Sequence, residues 1–194
     1  MTGIASGAKT WYDAGNLMIG GAFMKHTIYL AGGCYWGAEK YLSNIAGVLE
    51  TEVGFANGHV DAPAYVQVKK GDTGHAETVR VVYDDGAIPL DKLLRLFFRI
   101  IDPTSFEKQG EDVGNQYRTG VYWTDQADEA VVRAELEKLQ EQYAAPIVVE
   151  ALPLDCFYPA EEYHQKYLDK TPGGYCHVSW DEIDWVKTAN LEEI

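Results

Sequence analysis

The stretch His26-Thr27-Ile28-Tyr29-Leu30-Ala31-Gly32-Gly33-Cys34-Tyr35-Trp36-Gly37 holds a strand, a sharp turn and the start of a helix. His26–Ala31 reads as a short buried strand, Gly32-Gly33 turns the chain, and Tyr35–Ala46 reads as a helix stopped by Gly47. A thiol at such a junction faces unpaired N–H groups and the positive end of the helix dipole, and both favour the thiolate. The glycines leave the sulfur open, and Tyr35 and Trp36 are positioned to wall an apolar pocket. The same residues also suit a buried, inert cysteine between core aromatics.

Working outward, Leu49–Phe55 reads as a second strand with Leu49, Thr51, Val53 and Phe55 on one face. Turn signals at Asn57-Gly58, Gly71-Asp72 and Thr73-Gly74 lead to a third strand, His75–Tyr83. Pro89 opens a helix whose Leu90, Leu93, Leu94, Phe97 and Ile101 recur at helical spacing, and Asp102-Pro103 marks its end. Tyr117–Trp123 alternates as a fourth strand. Thr124 or Asp125 then caps a helix striped by Val132, Leu136, Leu139 and Tyr143. Ile147–Leu152 is a fifth, peripheral strand, and a last short helix is expected from Pro159. The central order, β-α-β-β-α-β, closes into one sheet with helices on one face, a ferredoxin-like two-layer arrangement.

The chain's 194 residues suit one domain, at 46% hydrophobic and 24% charged. Sixteen basic against thirty acidic residues leave a net charge of −14, which argues against nucleic acid as a partner. No apolar run approaches the ~18 to 20 residues of a membrane span, so no membrane is expected either. Cys34, Cys156 and Cys176 are too few for a secreted disulfide scaffold and cannot all pair within one chain. A reducing compartment, the cytoplasm, is the expected setting. Residues 1–23 lack the pattern of a signal peptide and precede a start-like Met24. They are read as a disordered extension, and 24–194 as a single catalytic domain with a cysteine-bearing tail.

Outside the glycine turn, Glu77 shares a strand face with Val79, Val81 and Tyr83. If that face is the core side, desolvation favours the neutral acid, a usable proton donor; at a strand edge the side chain escapes to solvent instead. Asp112, Asn115, Gln116 and Tyr117 lie in a polar loop, and Tyr65 in the long connection between strands. Cys176 sits in a Gly-flanked segment, read as mobile, from which it either reaches a reactive sulfur or remains an incidental thiol. The spacing of the five histidines and three cysteines offers no zinc site.

Five segments, in order, resemble the peptide methionine sulfoxide reductase A family, which reduces the S-epimer of methionine sulfoxide. They are Gly33-Cys34-Tyr35-Trp36-Gly37; Gly71 through Gly74-His75-Ala76-Glu77; Asp102-Pro103-Thr104; Gly114-Asn115-Gln116-Tyr117-Arg118; and Tyr158-Pro159-Ala160-Glu161-Glu162-Tyr163-His164-Gln165. The resemblance spans about Lys25 to His177. It implies an α+β two-layer sandwich around a mixed sheet. It also implies that Cys34 attacks the sulfoxide sulfur and Glu77 protonates the oxygen, with Tyr65 and Tyr117 donating hydrogen bonds. Tyr35 and Trp36 would hold the substrate methyl, and Asp112 would order the polar side of the site. Cys176 would resolve the Cys34 sulfenic acid as a disulfide, and thioredoxin would reopen it, with no metal or organic cofactor. The family most often has Phe at the position of Tyr35, whose hydroxyl therefore needs a partner or solvent.

Overall fold

A computed structural model describes residues 25–194; the expected extension, 1–23, and Met24 lie outside the described residues. The first strand, β1 (Lys25–Gly32), runs into α1 (Tyr35–Leu42), which ends at Ser43, ahead of the expected stop at Gly47. Strand β2 (Val48–Ala56), the one-turn helix α2 (Tyr65–Val68), β3 (Ala76–Asp84) and α3 (Leu90–Phe98) follow. A two-rung hairpin, β4 (Lys108–Gln109) and β5 (Asp112–Val113), precedes a 3-10 turn at Asn115–Tyr117 and strand β6 (Thr119–Trp123). The chain continues through α4 (Asp128–Gln140), β7 (Glu150–Pro153), β8 (Phe157–Pro159), α5 (Tyr167–Lys170) and α6 (Trp180–Val186).

Six strands form one mixed sheet in the order β7-β6-β1-β3-β2-β8. β1 lies antiparallel to both β3 and β6, β2 antiparallel to β3 and β8, and β7 parallel to β6. Pairs such as Phe55–Glu77 and Val53–Val79 fix which side chains share a face. Ile28, Leu30, Val53, Phe55, Val79, Val81 and Val121 form one core with the apolar residues of α1, α3, α4 and α6. A smaller cluster of Ala31, Ala56, Ala76 and Tyr122 is packed by Tyr29, Leu154 and Phe157.

Three local expectations are corrected. An irregularity in the pairing between Val48 and Glu50 removes Leu49 from the apolar face and leaves it 46% exposed. The residues from Pro159 do not begin a helix: Phe157-Tyr158-Pro159 pairs with β2 as an edge strand, where proline's missing N–H is tolerated. Helix α4 starts at Asp128, and Asp125 caps the preceding turn by accepting from the Ala127 N–H.

Gly32 and Gly33 have separate reasons to be glycine. A Cβ on Gly32 would stand 2.8 Å from Phe97 and 3.0 Å from Ile101, so a side chain there would push the end of β1 off α3. Gly33 adopts φ +80°, and a Cβ there would meet Gln109 at 2.6 Å. Gln109 is itself held by a two-way amide bond to the Asp102 backbone, accepting from its N–H and donating to its carbonyl. The turn before Cys34 is thereby fixed from α3 and from the β4–β5 hairpin.

Candidate active site

Cys34 occupies the N-cap position of α1 and is 7% exposed. Across the turn, Glu77 enters from β3, is 2% exposed, and accepts the backbone N–H of Tyr35 at 3.1 Å. One helix start therefore carries the thiol and binds the carboxyl. Burial raises the Glu77 carboxyl to about 8, opposed by the Tyr35 N–H and assisted by Asp112. At neutral pH Glu77 holds its proton for most of the time.

The thiol departs from expectation. Burial, followed by the nearby Glu77, pushes Cys34 well above the ordinary thiol range, while the Trp36 N–H pulls the other way. Desolvation outweighs the helix-terminus contribution, so the resting sulfur is a thiol and not a standing thiolate. A buried sulfur loses its proton only when another charge or proton changes beside it.

Tyr65 and Tyr117 lie within the electrostatic reach of both Cys34 and Glu77. Burial and then Glu77 push Tyr65 up to about 12, and the same causes raise Tyr117. Both hydroxyls remain protonated donors across the physiological range. Their supporting loops are tied together: Asn115 donates to the Gly71 carbonyl at 2.8 Å, and Gln116 to the Lys69 carbonyl at 3.4 Å. Asp112, on β5, accepts from the Tyr175 hydroxyl at 2.8 Å and thereby anchors the segment that carries Cys176.

The aromatic wall is built around His164, which the sequence reading left without a role. Trp36 donates its indole N–H to His164 Nδ1 at 3.1 Å and stacks on Tyr167 at 3.9 Å between centroids. His164 is buried, and desolvation keeps it neutral, which lets Nδ1 accept. Tyr65 packs on its ring at 4.4 Å and Tyr35 at 5.5 Å. Neighbouring residues clamp the segment: Gln165 accepts from the Val53 N–H and donates to the Val53 and Ala160 carbonyls. Glu39 of α1 accepts the Lys166 N–H at 2.8 Å. Tyr35 is fully buried against Phe55 and Trp36, and its hydroxyl has no hydrogen-bond partner. That orphan hydroxyl is the polar spot raised by Tyr35 standing where the family most often has Phe.

Cys176 does not hang free. Its Sγ lies 3.0 Å from where a Gly37 Cβ would stand, so the sulfur packs on the first turn of α1, and its thiol donates to the Val178 carbonyl at 3.0 Å. Its field is felt at Cys34. His177 follows the same surface, with Nε2 against Gly33 and Nδ1 against Gly37. Cys156 lies elsewhere, before β8, 3.6 Å from the Gly58 carbonyl and 3.9 Å from His75 Nε2. All three cysteines are unpaired. Among the described residues no cluster of three or more His, Cys, Asp or Glu is arranged to hold a metal ion, and no helix is long and apolar enough to cross a membrane.

The arrangement joins a buried thiol, a neutral carboxylic acid, two phenol donors, an aromatic wall and a second thiol. A family model described as peptide methionine sulfoxide reductase matches residues 26–192. The chain is 55% identical over 166 residues to peptide methionine sulfoxide reductase MsrA of Lachnoclostridium phytofermentans, covering 86% of this chain and all of that protein. Among solved structures, Mxr1 of Saccharomyces cerevisiae in reduced form superposes with a TM-score of 0.74 at 40% identity, over 80% of this chain and 91% of that one. Mxr1 in complex with Trx2 matches with a TM-score of 0.52 at 27% identity, over 74% and 84% of the two chains. With the family match spanning the glycine turn, Glu77, Asp112 and the Cys176 segment, the chain belongs to the peptide methionine sulfoxide reductase A family of oxidoreductases.

Proposed function

We propose that this chain reduces the S-epimer of methionine sulfoxide, free or in proteins, to methionine. The observation that carries the reading is the shared helix start: Cys34 caps α1 while Glu77, raised to about 8, binds the next N–H. The sulfoxide oxygen is a poor leaving group until protonated, and a neutral buried carboxyl supplies that proton. As the Cys34 sulfur attacks the substrate sulfur, Glu77 protonates the oxygen and takes up the proton that Cys34 gives up, with the Tyr65 and Tyr117 hydroxyls bonded to the oxygen. In sum, thiol and sulfoxide become sulfenic acid and thioether. Tyr35 and Trp36 hold the methyl, and Asp112 orders the polar side through Tyr175.

Cys176 then attacks the Cys34 sulfenic acid, releasing water and leaving a Cys34–Cys176 disulfide. Thioredoxin reopens it by thiol–disulfide exchange, a step supported by the solved complex of the related Mxr1 with Trx2. The remaining proposals are repair of oxidised proteins in the cytoplasm, 24–194 as one catalytic domain, and a ferredoxin-like identity for the central strands β6-β1-β3-β2. A thioredoxin-coupled assay on separated S and R epimers of a blocked methionine sulfoxide tests the function. Turnover of the S epimer alone is expected; turnover of only the R epimer, or of neither, overturns the reading.

A further inference from the structure

The reaction leaves His177, half-buried beside the nucleophile, without a task. His177 lies beneath the Cys34 turn, with Nε2 3.2 Å from where a Gly33 Cβ would stand and Nδ1 3.2 Å from the corresponding point on Gly37. The ring thus reaches from the residue before the nucleophile to the first turn of α1. On the Gly37 side it shares its footing with the Cys176 sulfur, which lies 3.0 Å from the same point. Both ring nitrogens are shielded from solvent, and neither has a close, well-aligned partner beyond the Gly32 backbone beside the ring. Desolvation lowers the imidazole, with the field of Asp112 and the Gly32 backbone opposing it, so the ring rests neutral and able to accept a proton.

Cys176 needs such an acceptor. Burial raises its thiol, and its proton is engaged by the Val178 carbonyl, which can bind it but cannot remove it. A sulfenic acid is attacked by thiolate more readily than by thiol.

We propose that His177 is the general base of the resolving step, taking the Cys176 proton as that sulfur attacks Cys34. The proposal rests on the reading of Cys176 as the resolving thiol. The proton moves from Cys176 Sγ to the imidazole, the S–S bond forms, and the S–O bond of the sulfenic acid breaks. The departing hydroxide takes the proton back from the imidazolium and leaves as water. Each sulfur changes by one formal oxidation unit, Cys176 rising from the thiol level and Cys34 falling from the sulfenic level to meet in the disulfide, so no outside oxidant or reductant is needed.

The test is single turnover of the reduced full chain with one equivalent of a blocked methionine S-sulfoxide. Methionine release, free-thiol loss and dimedone trapping of sulfenic acid are followed in parallel. For His177→Asn the methionine burst should stay within twofold of the parent. Loss of the second thiol should slow by roughly the 10²- to 10⁴-fold of a missing general base, with trappable sulfenic acid accumulating. In His177→Ala, added imidazole should restore part of the disulfide rate. Unchanged disulfide formation, equal slowing of both steps, or no response to imidazole would overturn the assignment, equal slowing marking His177 as a structural peg. Cys176→Ser serves as the separate control. If that variant forms no trappable sulfenic acid and recycles normally with thioredoxin, the reading of Cys176 fails; if it stalls while His177→Asn does not, only the base assignment fails.

Discussion

Two corners of the sheet each set a cysteine beside a buried titratable side chain. At one, Cys34 caps α1 and Glu77 binds the neighbouring N–H. At the other, Cys156 precedes β8 and stands 3.9 Å from the buried His75. Only the first holds the parts that the proposed reaction needs. Its carboxyl and thiol oppose each other electrostatically, two phenols feel both, and a second sulfur packs one turn away. The Cys156 thiol faces a carbonyl and an imidazole lowered by burial, and the raised hydroxyl nearby, that of Tyr158, is already engaged by the Asp61 carboxylate. Proximity of a thiol to a titratable group is therefore not enough; what matters is whether the proton and the second sulfur are within reach of the same helix start.

The sharpest break of this contrast is Cys34→Ser, for which methionine formation should fall below detection in the coupled assay. A hydroxyl in that buried position has no comparable ionisation or attack on sulfur. Retained turnover would move the nucleophile away from this corner.

Glu77→Gln should slow oxidation of Cys34 in a single turnover by roughly 10²- to 10⁴-fold, because the amide keeps the shape but has no proton to give. In the parent, the rate of that step should fall as pH rises through about 8, where the carboxyl loses its proton. The same group leaves a mark on stability. Its folded-state value lies above the ordinary 4.5, so the stability it contributes is full below that value and is lost as pH rises to about 8. Between pH 5 and pH 8 the parent should lose on the order of 3–4 kcal/mol that the Gln variant does not, a relative Tm difference of roughly 6–15 °C. Parallel Tm curves for the two proteins would place Glu77 in solvent-like surroundings.

The contrast between the corners was only partly legible in the sequence. Strand alternation put Glu77 on the face of Val79 and Val81, but which face was buried required the pairing of Phe55 with Glu77 and the packing of α1 above it. The glycine pair announced a tight turn, whereas Gln109, which holds that turn, sits in a polar loop with no periodicity to mark it. His164 and His177 gave no signal of their own, since their roles come from contacts with Trp36 and Gly37 more than a hundred residues earlier. The thiolate expectation failed for a related reason. A helix start is visible in one segment, but the burial that outweighs it is a property of the assembled core.

The aromatic wall tests the substrate side of the active corner. Trp36→Ala should raise the sulfoxide concentration for half-maximal rate by roughly 10- to 100-fold, in line with a well-packed aromatic contact of about 1–3 kcal/mol. The indole is braced by His164 and by the stacked Tyr167, so its position is fixed before substrate arrives. An unchanged concentration dependence, measured with the same blocked sulfoxide, would make Trp36 a support for His164 and nothing more.

Cys156→Ser should have the smallest effect and is the direct probe of the quiet corner. A serine hydroxyl can donate to the Gly58 carbonyl and accept from His75 Nε2–H, replacing two weak sulfur contacts with oxygen ones. The position is only half-buried, so little apolar transfer energy is lost. Turnover with thioredoxin should stay within twofold of the parent, and the methionine burst should be unchanged. The informative comparison is with Cys176→Ser, which should release about one methionine per enzyme and then stall. If the Cys156 variant stalls while the Cys176 variant recycles normally, the second sulfur of the reaction lies beside His75. The packing of Cys176 on Gly37 would then be structural, and the distinction between the two corners would reduce to the nucleophile alone.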